Sequence, residues 1–392
     1  MDLHRRIIKA ANKIKEELIE IRSKLHQNPE LGFELDNTIS LVLSKLIEYG
    51  YEPVKCGKAG ILAVIGSGEK TVLLRADMDA LSIKEEADVM CKSKNNYMHA
   101  CGHDMHTTML LGAAKILKEI ESNLAGRIIL MFQPAEETLE GAKDMLNTKK
   151  ISNVDAAIMI HTSTGTQLKS GSIIIPPKGV IAPAACHFKM TITGSASHGG
   201  MPALGVNPIY ISTSIVSRIN QMMKNENDDC LITITALNSG NSSNVVPEAA
   251  ALLGTIRAYD INVLNYYKKR LEEIGNRITN SENGHFVIEY PSFCPNFICN
   301  ENLSKIAYTS LYEIFQEKVR KIEEIDHKSY ASEDFSYVSH LYPSCMILLS
   351  AGGVMDGYKY PIHHPKAKFD SNILPNGAII YSVLAINILN DK

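Results

Sequence analysis

Three short apolar runs, each followed at once by acidic or histidine side chains, constrain the fold of this chain more than any other feature. The runs lie at 72–75, 128–132 and 156–160, and they are followed by Asp77 and Asp79, by Glu136 and Glu137, and by His161. Such runs are typical of strands buried on both faces of a parallel sheet. Open α/β sheets bind ligands just beyond the carboxyl ends of their strands, so we expect these groups to meet at one sheet edge.

A Cys-Gly-His sequence at 101–103 lies between the first two runs and adds a thiol and an imidazole. On an extended loop, side chains two residues apart point to one face, and the glycine lets the backbone turn. A lone Cys-x-His is weak evidence for a metal site, since a buried thiol beside a surface imidazole is a commoner origin of this pattern. Here Asp104 and His106 follow and the loop opens a helix, whose N-terminus favours a thiolate. Thiolate, imidazole and carboxylates together predict a metal site, and a hydrolytic one.

The adjacent carboxylates Glu136 and Glu137 are the sharpest single feature of the sequence. A solvated acidic turn explains such a pair about equally well from the charge pattern alone. In a metal site the two would have different roles, one binding metal while the other takes a proton from an activated water. A storage or structural site has no use for the second carboxylate, so the pair favours hydrolysis.

Composition and charge narrow the class of protein. A length of 392 residues suits two domains, and the formal charge of −3 argues against a nucleic-acid or anionic-membrane partner. The eight cysteines are spread thinly, which predicts reduced thiols in a cytoplasmic protein. Apolar residues near the N-terminus recur at helical spacing and predict one amphipathic helix rather than a signal peptide or membrane span. These residues are Ile7, Ile14, Leu18, Ile21 and Leu25.

The pattern of the sequence changes after Pro176-Pro177 and Ala182-Pro183. Before this point helical and strand-like segments alternate, as a helix-covered sheet requires. After it, four strands are predicted at 187–193, 231–237, 250–257 and 286–290, with helices at 208–223 and 266–278. A small ferredoxin-like α+β module needs this set. Because a helix at 303–315 and a strand at 346–350 resume the earlier style, we expect the module to be inserted into the first domain.

Eight motifs extend in order over nearly the whole chain. They lie at 26–31, 75–81, 98–104, 133–137, 197–202, 244–247, 332–335 and 363–365. Cys101-Gly102-His103-Asp104 together with Gln133-Pro134-Ala135-Glu136-Glu137 is highly specific. By these motifs the chain resembles the aminoacylase and carboxypeptidase class of co-catalytic metallohydrolases. Within that class it is most similar to the hippurate hydrolases and auxin-conjugate (indole-acetyl amino acid) hydrolases.

The resemblance implies an α/β fold in two domains. A zinc-exopeptidase-like catalytic domain, with a mixed sheet flanked by helices, would occupy 1–183 and 299–392. An inserted ferredoxin-like α+β lid domain would occupy 184–298. Lid domains of this class commonly mediate dimers, so a homodimer or homotetramer through the lid is expected.

The resemblance also implies the residues of a two-metal centre. Five ligands would hold two divalent ions, with the first of them bridging: Cys101, His103, Glu137, His161 and His363. Glu136 would be the general base and then the acid that protonates the departing amine. Asp79 would orient a ligand, as residues around such sites commonly do.

Three residues of the lid complete the implied site. His198 would polarise the scissile carbonyl or stabilise the oxyanion, and Asn244 and Arg257 would contact substrate. A surface turn for His198 and a solvated strand end for Arg257 are the alternatives. The chain departs from the family pattern at Gly199-Gly200, where alanines are usual. It departs again at 162–166, where an apolar, Pro-rich segment is usual, and this leaves the shape of the acyl pocket open.

The predicted activity is metal-dependent hydrolysis of the amide of an N-acyl amino acid or similar small conjugate. Mixed sulfur, nitrogen and oxygen donors fit zinc, manganese, cobalt or nickel. A dipeptidase or carboxypeptidase on the same centre is the alternative activity. A metal-dependent binding protein without turnover is a further alternative, against which Glu136 argues. A Rossmann enzyme is disfavoured because no Gly-x-Gly-x-x-Gly follows an early strand.

Overall fold

The computed structural model describes residues 2–226, 229–321 and 329–391. They divide into two compact units. The larger comprises the described residues of Met1–Ile181, Ile298–His327 and Asp334–Lys392, and the smaller those of Ala182–Phe297 and Lys328–Glu333. The smaller unit therefore includes a segment near residue 330 that the sequence patterns assigned to the catalytic domain. The division at 183 and 299 into separate domains stays a prediction.

Ten α-helices lie in the described residues. They are α1 (Asp2–Lys13), α2 (Lys15–Gln27), α3 (Asp36–Glu48), α4 (His103–Glu119), α5 (Gly141–Asn147), α6 (Pro208–Asn225), α7 (Ile261–Ser281), α8 (Glu301–Phe315), α9 (Ser336–Ser339) and α10 (Leu374–Asn390).

Seventeen β-strands lie in the same described ranges. They are β1 (Val54–Cys56), β2 (Gly60–Ile65), β3 (Thr71–Asp77), β4 (Arg127–Gln133), β5 (Ala156–Ser163), β6 (Ile173–Ile175), β7 (Gly179–Ala182), β8 (Ala184–Thr193), β9 (Ser197–His198), β10 (Cys230–Ser239), β11 (Val245–Val246), β12 (Ala249–Ala258), β13 (His285–Glu289), β14 (Phe293–Cys294), β15 (Phe297–Cys299), β16 (Val319–Lys321) and β17 (Ser344–Ser350).

The larger unit is built on an eight-stranded mixed sheet in the order β1-β2-β4-β3-β5-β17-β6-β16. Its centre is parallel, because β3 pairs in parallel with both β4 and β5, and β17 pairs in parallel with β5. Every residue of β3 is buried, as continuous apolar strands under helices on both faces should be. The prediction that the three apolar runs are neighbouring parallel strands is therefore confirmed.

Two helices pack closely in the core of this unit, α4 and α10. A Cβ added at Gly377 would lie 1.9 Å from Met109 Sδ, so glycine permits the close approach. Among the described residues, Ser371–Asn390 is long and apolar enough to cross a membrane by length and composition alone. Since 83% of its apolar window is buried inside the protein, packing in the core accounts for its hydropathy.

The N-terminal segment forms two helices where one was predicted. The first, α1, ends at Lys13, and α2 begins after Ile14. The prediction of a single helix is therefore wrong, although its apolar stripe is correct in detail. All five residues of that stripe are buried: Ile7, Ile14, Leu18, Ile21 and Leu25.

The smaller unit contains an antiparallel sheet in the order β10-β12-β8-β13, with β14 also paired to β8. The strands β8, β10, β12 and β13 and the helices α6 and α7 follow a β-α-β-β-α-β chain order, and this arrangement is ferredoxin-like, as predicted. Both helices pack on the sheet over a shared apolar core. Their starts are set locally, because Asn207 and Asp260 accept backbone hydrogen bonds at the two N-caps.

Candidate metal centre

The predicted ligands converge because three parallel strands end side by side. The ladder pairs Asp77 at the end of β3 with Gln133 at the end of β4, and His161 lies near the end of β5. The start of α4 lies against the same edge, with Gly102 as its N-cap at a φ of +85°. A Cβ at Gly102 would lie 2.4 Å from Thr162 Oγ1, so only glycine permits this approach.

The structure brings all five predicted ligands together. Cys101 Sγ lies 3.6 Å from His161 Nε2, and Glu137 Oε1 lies 3.8 Å from His103 Nε2 and 3.5 Å from His363 Nε2. Two of the groups whose ligand atoms lie within 4.8 Å of one another consist of predicted ligands alone, one of Cys101, His103 and His161 and one of Cys101, Glu137 and His363. The thiol belongs to both groups, which is the position that a bridging ligand requires.

Backbone carbonyls orient two of the imidazoles. The Nδ1 of His103 lies 2.8 Å from the carbonyl oxygen of Asp79, and the Nδ1 of His161 lies 2.8 Å from that of Thr162. A carbonyl only accepts, so each neutral ring carries its proton on Nδ1 and its lone pair on Nε2. Both Nε2 atoms then present a lone pair to the cluster, as metal-binding histidines must.

The carboxylate of Asp79 connects the ligand segments. Its Oδ1 accepts a hydrogen bond from the backbone N–H of Glu136 at 3.0 Å, and its Oδ2 accepts from that of Glu137 at 3.2 Å. Its Oδ1 also lies 3.4 Å from His103 Nδ1. This residue therefore holds the backbone turn that carries both glutamates. The geometry is consistent with the orienting role predicted for Asp79, which stays a prediction.

The donor atoms of the cluster fit a cation. Among the described residues, the buried atoms His103 Nε2 and Glu137 Oε1 have no hydrogen-bond partner. Leaving such polar atoms unsatisfied is costly, and a cation between them would satisfy both. Sulfur, imidazole and carboxylate donors together suit divalent transition metals. The side chain of His363 is 49% exposed, so the cluster is open to solvent on that side.

Burial dominates the protonation of the metal-free cluster. It raises the pKa of the Cys101 thiol well above its ordinary value, and the Glu137 charge adds to this effect. Burial also raises the pKa of Glu137 to about 7. In the metal-free protein, burial therefore opposes the thiolate that the helix N-terminus would favour. A bound dication reverses this balance, because a coordinating thiol is deprotonated.

A buried network adjoins the cluster, and the sequence predicted the position of Asp77 at the sheet edge but not its partners. Asp77 Oδ1 lies 2.6 Å from His106 Nδ1, and Asp77 Oδ2 accepts from Arg75 Nη1 at 2.7 Å. The backbone N–H of Thr162 donates to His106 Nε2 at 2.8 Å. The Arg75 side chain is completely buried and also contacts Asp334 Oδ1 at 3.2 Å. The available signal was the charged pair 75 and 77 within an apolar strand, since buried charges require partners.

Two of the three predicted lid residues lie together in the smaller unit. The two-stranded ladder of β9 and β11 pairs His198 with Val245, and Gly199 N–H donates to the carbonyl of Asn244 at 2.8 Å. The backbone N–H of Gly200 donates to His198 Nδ1 at 3.0 Å. The neutral ring therefore carries its proton on Nε2, where it could be donated to a substrate oxygen. The His198 side chain is exposed.

The third lid residue, Arg257, is held elsewhere in the smaller unit. Its Nη1 donates to the carbonyl of Tyr330 and to Ser332 Oγ, both at 3.1 Å. These contacts explain why the segment near residue 330 belongs to this unit. The solvated strand end considered for Arg257 does not describe it, because the guanidinium is partly buried and anchored. A contact with substrate stays a prediction.

Comparisons with known proteins identify the family. A model of peptidase family M20/M25/M40 matches residues 73–387. The chain is 35% identical to IAA-amino acid hydrolase ILR1-like 2 of Arabidopsis thaliana, over 96% of this chain and 86% of that protein. It is 34% identical to thermostable carboxypeptidase 2 of Saccharolobus solfataricus, over 100% of both. The chain therefore belongs to peptidase family M20/M25/M40, and the family predicted from the motifs is confirmed.

Solved structures agree with this assignment. A putative aminohydrolase from methicillin-resistant Staphylococcus aureus superposes with a TM-score of 0.84 at 26% identity, over 99% of each chain. The predicted fold class is therefore confirmed. Together with the family, the relatives define the protein as a hydrolase that acts on amide C–N bonds.

Proposed function

We propose that this protein is a two-metal amidohydrolase that cleaves the amide bond of N-acyl amino acids or related small conjugates. The observation that carries the proposal is the cluster in which Cys101 lies among both groups of imidazole and carboxylate donors, with Glu136 beside it. Glu136 Oε2 lies 4.0 Å from His103 Nε2, so a second carboxylate adjoins the ligand atoms. The relative from A. thaliana supports the substrate class through its name, IAA-amino acid hydrolase.

Cys101, His103, Glu137, His161 and His363 would hold two divalent ions, with Cys101 bridging. Ions bound there would supply Lewis acidity, polarising the amide carbonyl and lowering the pKa of water. Their identity is proposed as zinc, manganese, cobalt or nickel, all of which the mixed donors fit.

The chain's own residues would move the proton. Glu136 takes a proton from the attacking water and returns it to the departing amine nitrogen, as a general base and then acid. Asp79 holds the backbone N–H groups of both glutamates, which fixes the turn that carries the two carboxylates. A base held in this way pays little reorganisation cost when the proton moves.

The lid residues would recognise the substrate. His198 donates from Nε2 to the oxygen that becomes negative as the amide carbon turns tetrahedral. Asn244 lies beside it, directly before the adjoining strand β11, and Arg257 would bind the amino-acid carboxylate through paired hydrogen bonds. The anchoring of one side of the guanidinium by Tyr330 and Ser332 supports this role, since it presets the orientation of the other side.

A peptide bond is also an amide, and a second activity has specific support. The 34% identical relative from S. solfataricus is named a carboxypeptidase and aligns over its full length. The same centre could therefore act on dipeptides or on the C-terminal residue of short peptides.

One assay separates these functions. Metal-free protein is reloaded with Zn²⁺, Mn²⁺, Co²⁺ or Ni²⁺ and tested on N-acetyl and N-benzoyl amino acids, dipeptides and N-acyl amino acid amides. Faster cleavage of the N-acyl amino acids than of dipeptides is expected. The N-acyl amino acid amides should be poor substrates because they lack the free carboxylate. Preference for dipeptides would favour the peptidase. No hydrolysis of any amide by fully metallated protein would overturn the proposal in favour of a binding protein.

The cellular location and the oligomeric state of the enzyme are also part of the proposal. A cytoplasmic location with reduced thiols is supported by the thin spread of the eight cysteines along the chain, seven of which are buried. A homodimer or homotetramer through the lid is proposed from the family resemblance, and light scattering of the purified protein tests it.

A further inference from the structure

The motif at 26–31 has no role in the proposed chemistry, yet its first residue lies in a buried polar network. His26 is 2% exposed, near the end of α2. Its Nδ1 lies 2.8 Å from Asp104 Oδ2, and its Nε2 lies 3.1 Å from Glu85 Oε1. The ring therefore joins two carboxylates that belong to separate segments of the larger unit.

Arg22 lies one helical turn before His26 and contacts the same carboxylate. Its Nε donates to Asp104 Oδ2 at 2.9 Å, and its Nη1 donates to Ser371 Oγ at 2.6 Å. Both side chains and Asp104 are buried. Burial works to lower the pKa of His26, but the Asp104 charge and the hydrogen bonds to Asp104 and Glu85 together outweigh it and raise that pKa overall. One anionic oxygen is thus held by two donors from one helix, in a region where an unpaired charge would be costly.

The fixed position of the Asp104 carboxylate in turn constrains the proposed metal ligands. It follows His103 directly in the first turn of α4, and Gly102 at the N-cap is the only residue between His103 and Cys101. A glycine at positive φ offers little resistance to rotation, so the direction of the two ligands depends on external contacts. Fixing the Asp104 carboxylate therefore fixes the start of α4 and the ligands on it.

The other side of the His26 ring connects to a second ligand segment. Glu85 Oε2 accepts a hydrogen bond from the backbone N–H of Ser93 at 2.6 Å. This bond joins the two ends of the loop segment between Glu85 and Ser93. The backbone N–H of Glu86 donates to the carbonyl of Pro365 at 2.8 Å, two residues after His363. The network thus contacts two of the three segments outside the strands that would carry metal ligands, the one with Cys101 and His103 and the one with His363.

We propose that His26 and Arg22 are positioning residues, which hold Cys101 and His103 in metal-binding geometry by clamping the carboxylate of Asp104. The proposal rests on the proposed metal centre. Removing a residue that supports metal ligands typically weakens metal affinity about 10- to 100-fold. The expected signature is therefore weaker metal binding without loss of the fold.

Two substitutions of His26 separate its two contacts. The amide nitrogen of asparagine lies as many bonds from the backbone as Nδ1 of histidine does. The amide nitrogen of glutamine lies as many bonds from the backbone as Nε2 of histidine does. His26→Gln should lose the hold on Asp104 and bind Co²⁺ about tenfold more weakly in titrations that follow the thiolate-to-cobalt absorption band. His26→Asn should recover most of that affinity. Thermal unfolding of the metal-free variants is measured in parallel.

A control within the same motif tests for a merely structural role. The Glu30 carboxylate accepts the backbone N–H groups of Asn37 and Thr38 and so caps α3. Glu30→Ala should lower the unfolding temperature while leaving the Co²⁺ affinity unchanged. If His26→Gln behaves in the same way, or if both His26 variants lose affinity equally, the clamp is refuted.

A second variant guards against misfolding. Should His26→Gln not fold, Arg22→Lys keeps the charge but removes the Nε donor to Asp104, and it should weaken Co²⁺ binding by a similar factor. Wild-type affinity in that variant would overturn the proposal. Wild-type protein that takes up no Co²⁺ would instead overturn the proposed metal centre itself.

Discussion

Cys101 Sγ lies 3.6 Å from His161 Nε2, although 60 positions separate the two residues in the chain. The contact exists because α4 begins against the end of β5, with Gly102 close enough to Thr162 that no other residue would fit. The thiol is thereby placed among both groups of predicted ligands, and the proposed metal centre depends on it.

Replacing this thiol should remove metal and activity together. Cys101→Ala deletes the one donor that belongs to both ligand groups, so we expect the metal content, measured by elemental analysis after dialysis, to fall well below that of the wild type. Cys91→Ala is the matched control, since that half-buried thiol lies in no group of candidate ligands among the described residues. Retained metal stoichiometry in Cys101→Ala would refute the bridging role.

Glu136→Gln should separate catalysis from metal binding. The substitution keeps the size of the side chain but removes the proton acceptor, so kcat should fall by roughly 100- to 10,000-fold while metal content persists. Glu137→Gln serves as the control and should lower metal content instead, because Glu137 Oε1 lies 3.8 Å from His103 Nε2 and 3.5 Å from His363 Nε2. An active Glu136→Gln enzyme would show that the base has been wrongly assigned.

Gly199→Ala should impair catalysis through the lid alone. An added Cβ would lie 2.9 Å from the carbonyl oxygen of Asn244 and would push His198 and Asn244 apart. Since small displacements of substrate-contacting groups are costly, kcat/KM should fall about ten- to a hundredfold with metal content unchanged. Gly200→Ala should have a smaller effect, because its Cβ meets only the movable His198 ring, at 3.2 Å. Unchanged kcat/KM in Gly199→Ala would contradict the role of these residues.

Glu17→Gln should reduce stability at neutral pH and not in acid. Burial works to raise the pKa of Glu17, but hydrogen bonds from Lys115 and Tyr49 outweigh it and lower that pKa overall. The folded state therefore favours the carboxylate, and its stabilisation is present above the ordinary pKa and lost as the pH falls. The loss at pH 7 should be at most about 1 kcal/mol, because the group is partly solvated.

Thermal unfolding at pH 7 and near pH 3.5 checks this expectation. The wild type and Glu17→Gln should differ at the higher pH and converge at the lower one. The variant Glu16→Gln, which changes an exposed neighbour of Glu17, should have the same unfolding temperature as the wild type at both pH values. A difference that persists in acid would mean that packing rather than charge accounts for the effect.

Local patterns in the sequence predicted most of the architecture. The apolar runs identified β3, β4 and β5, because a strand buried on both faces must be apolar throughout its length. The alternating pattern and turn residues identified the ferredoxin-like module, since its strands bury only one face. The motifs identified the family, and strand ends indicated where its ligands would meet.

The polar interior was decided by tertiary structure alone. The contacts of Asp77 with His106, of Asp104 with His26 and Arg22, and of the segment near residue 330 with Arg257 join parts of the chain that share no local pattern. A buried charge needs a partner, but the sequence does not say which distant group will supply it. Hydrophobic periodicity is a local property of the sequence, whereas the hydrogen-bond partners of buried polar groups become neighbours only when the helices and strands pack together.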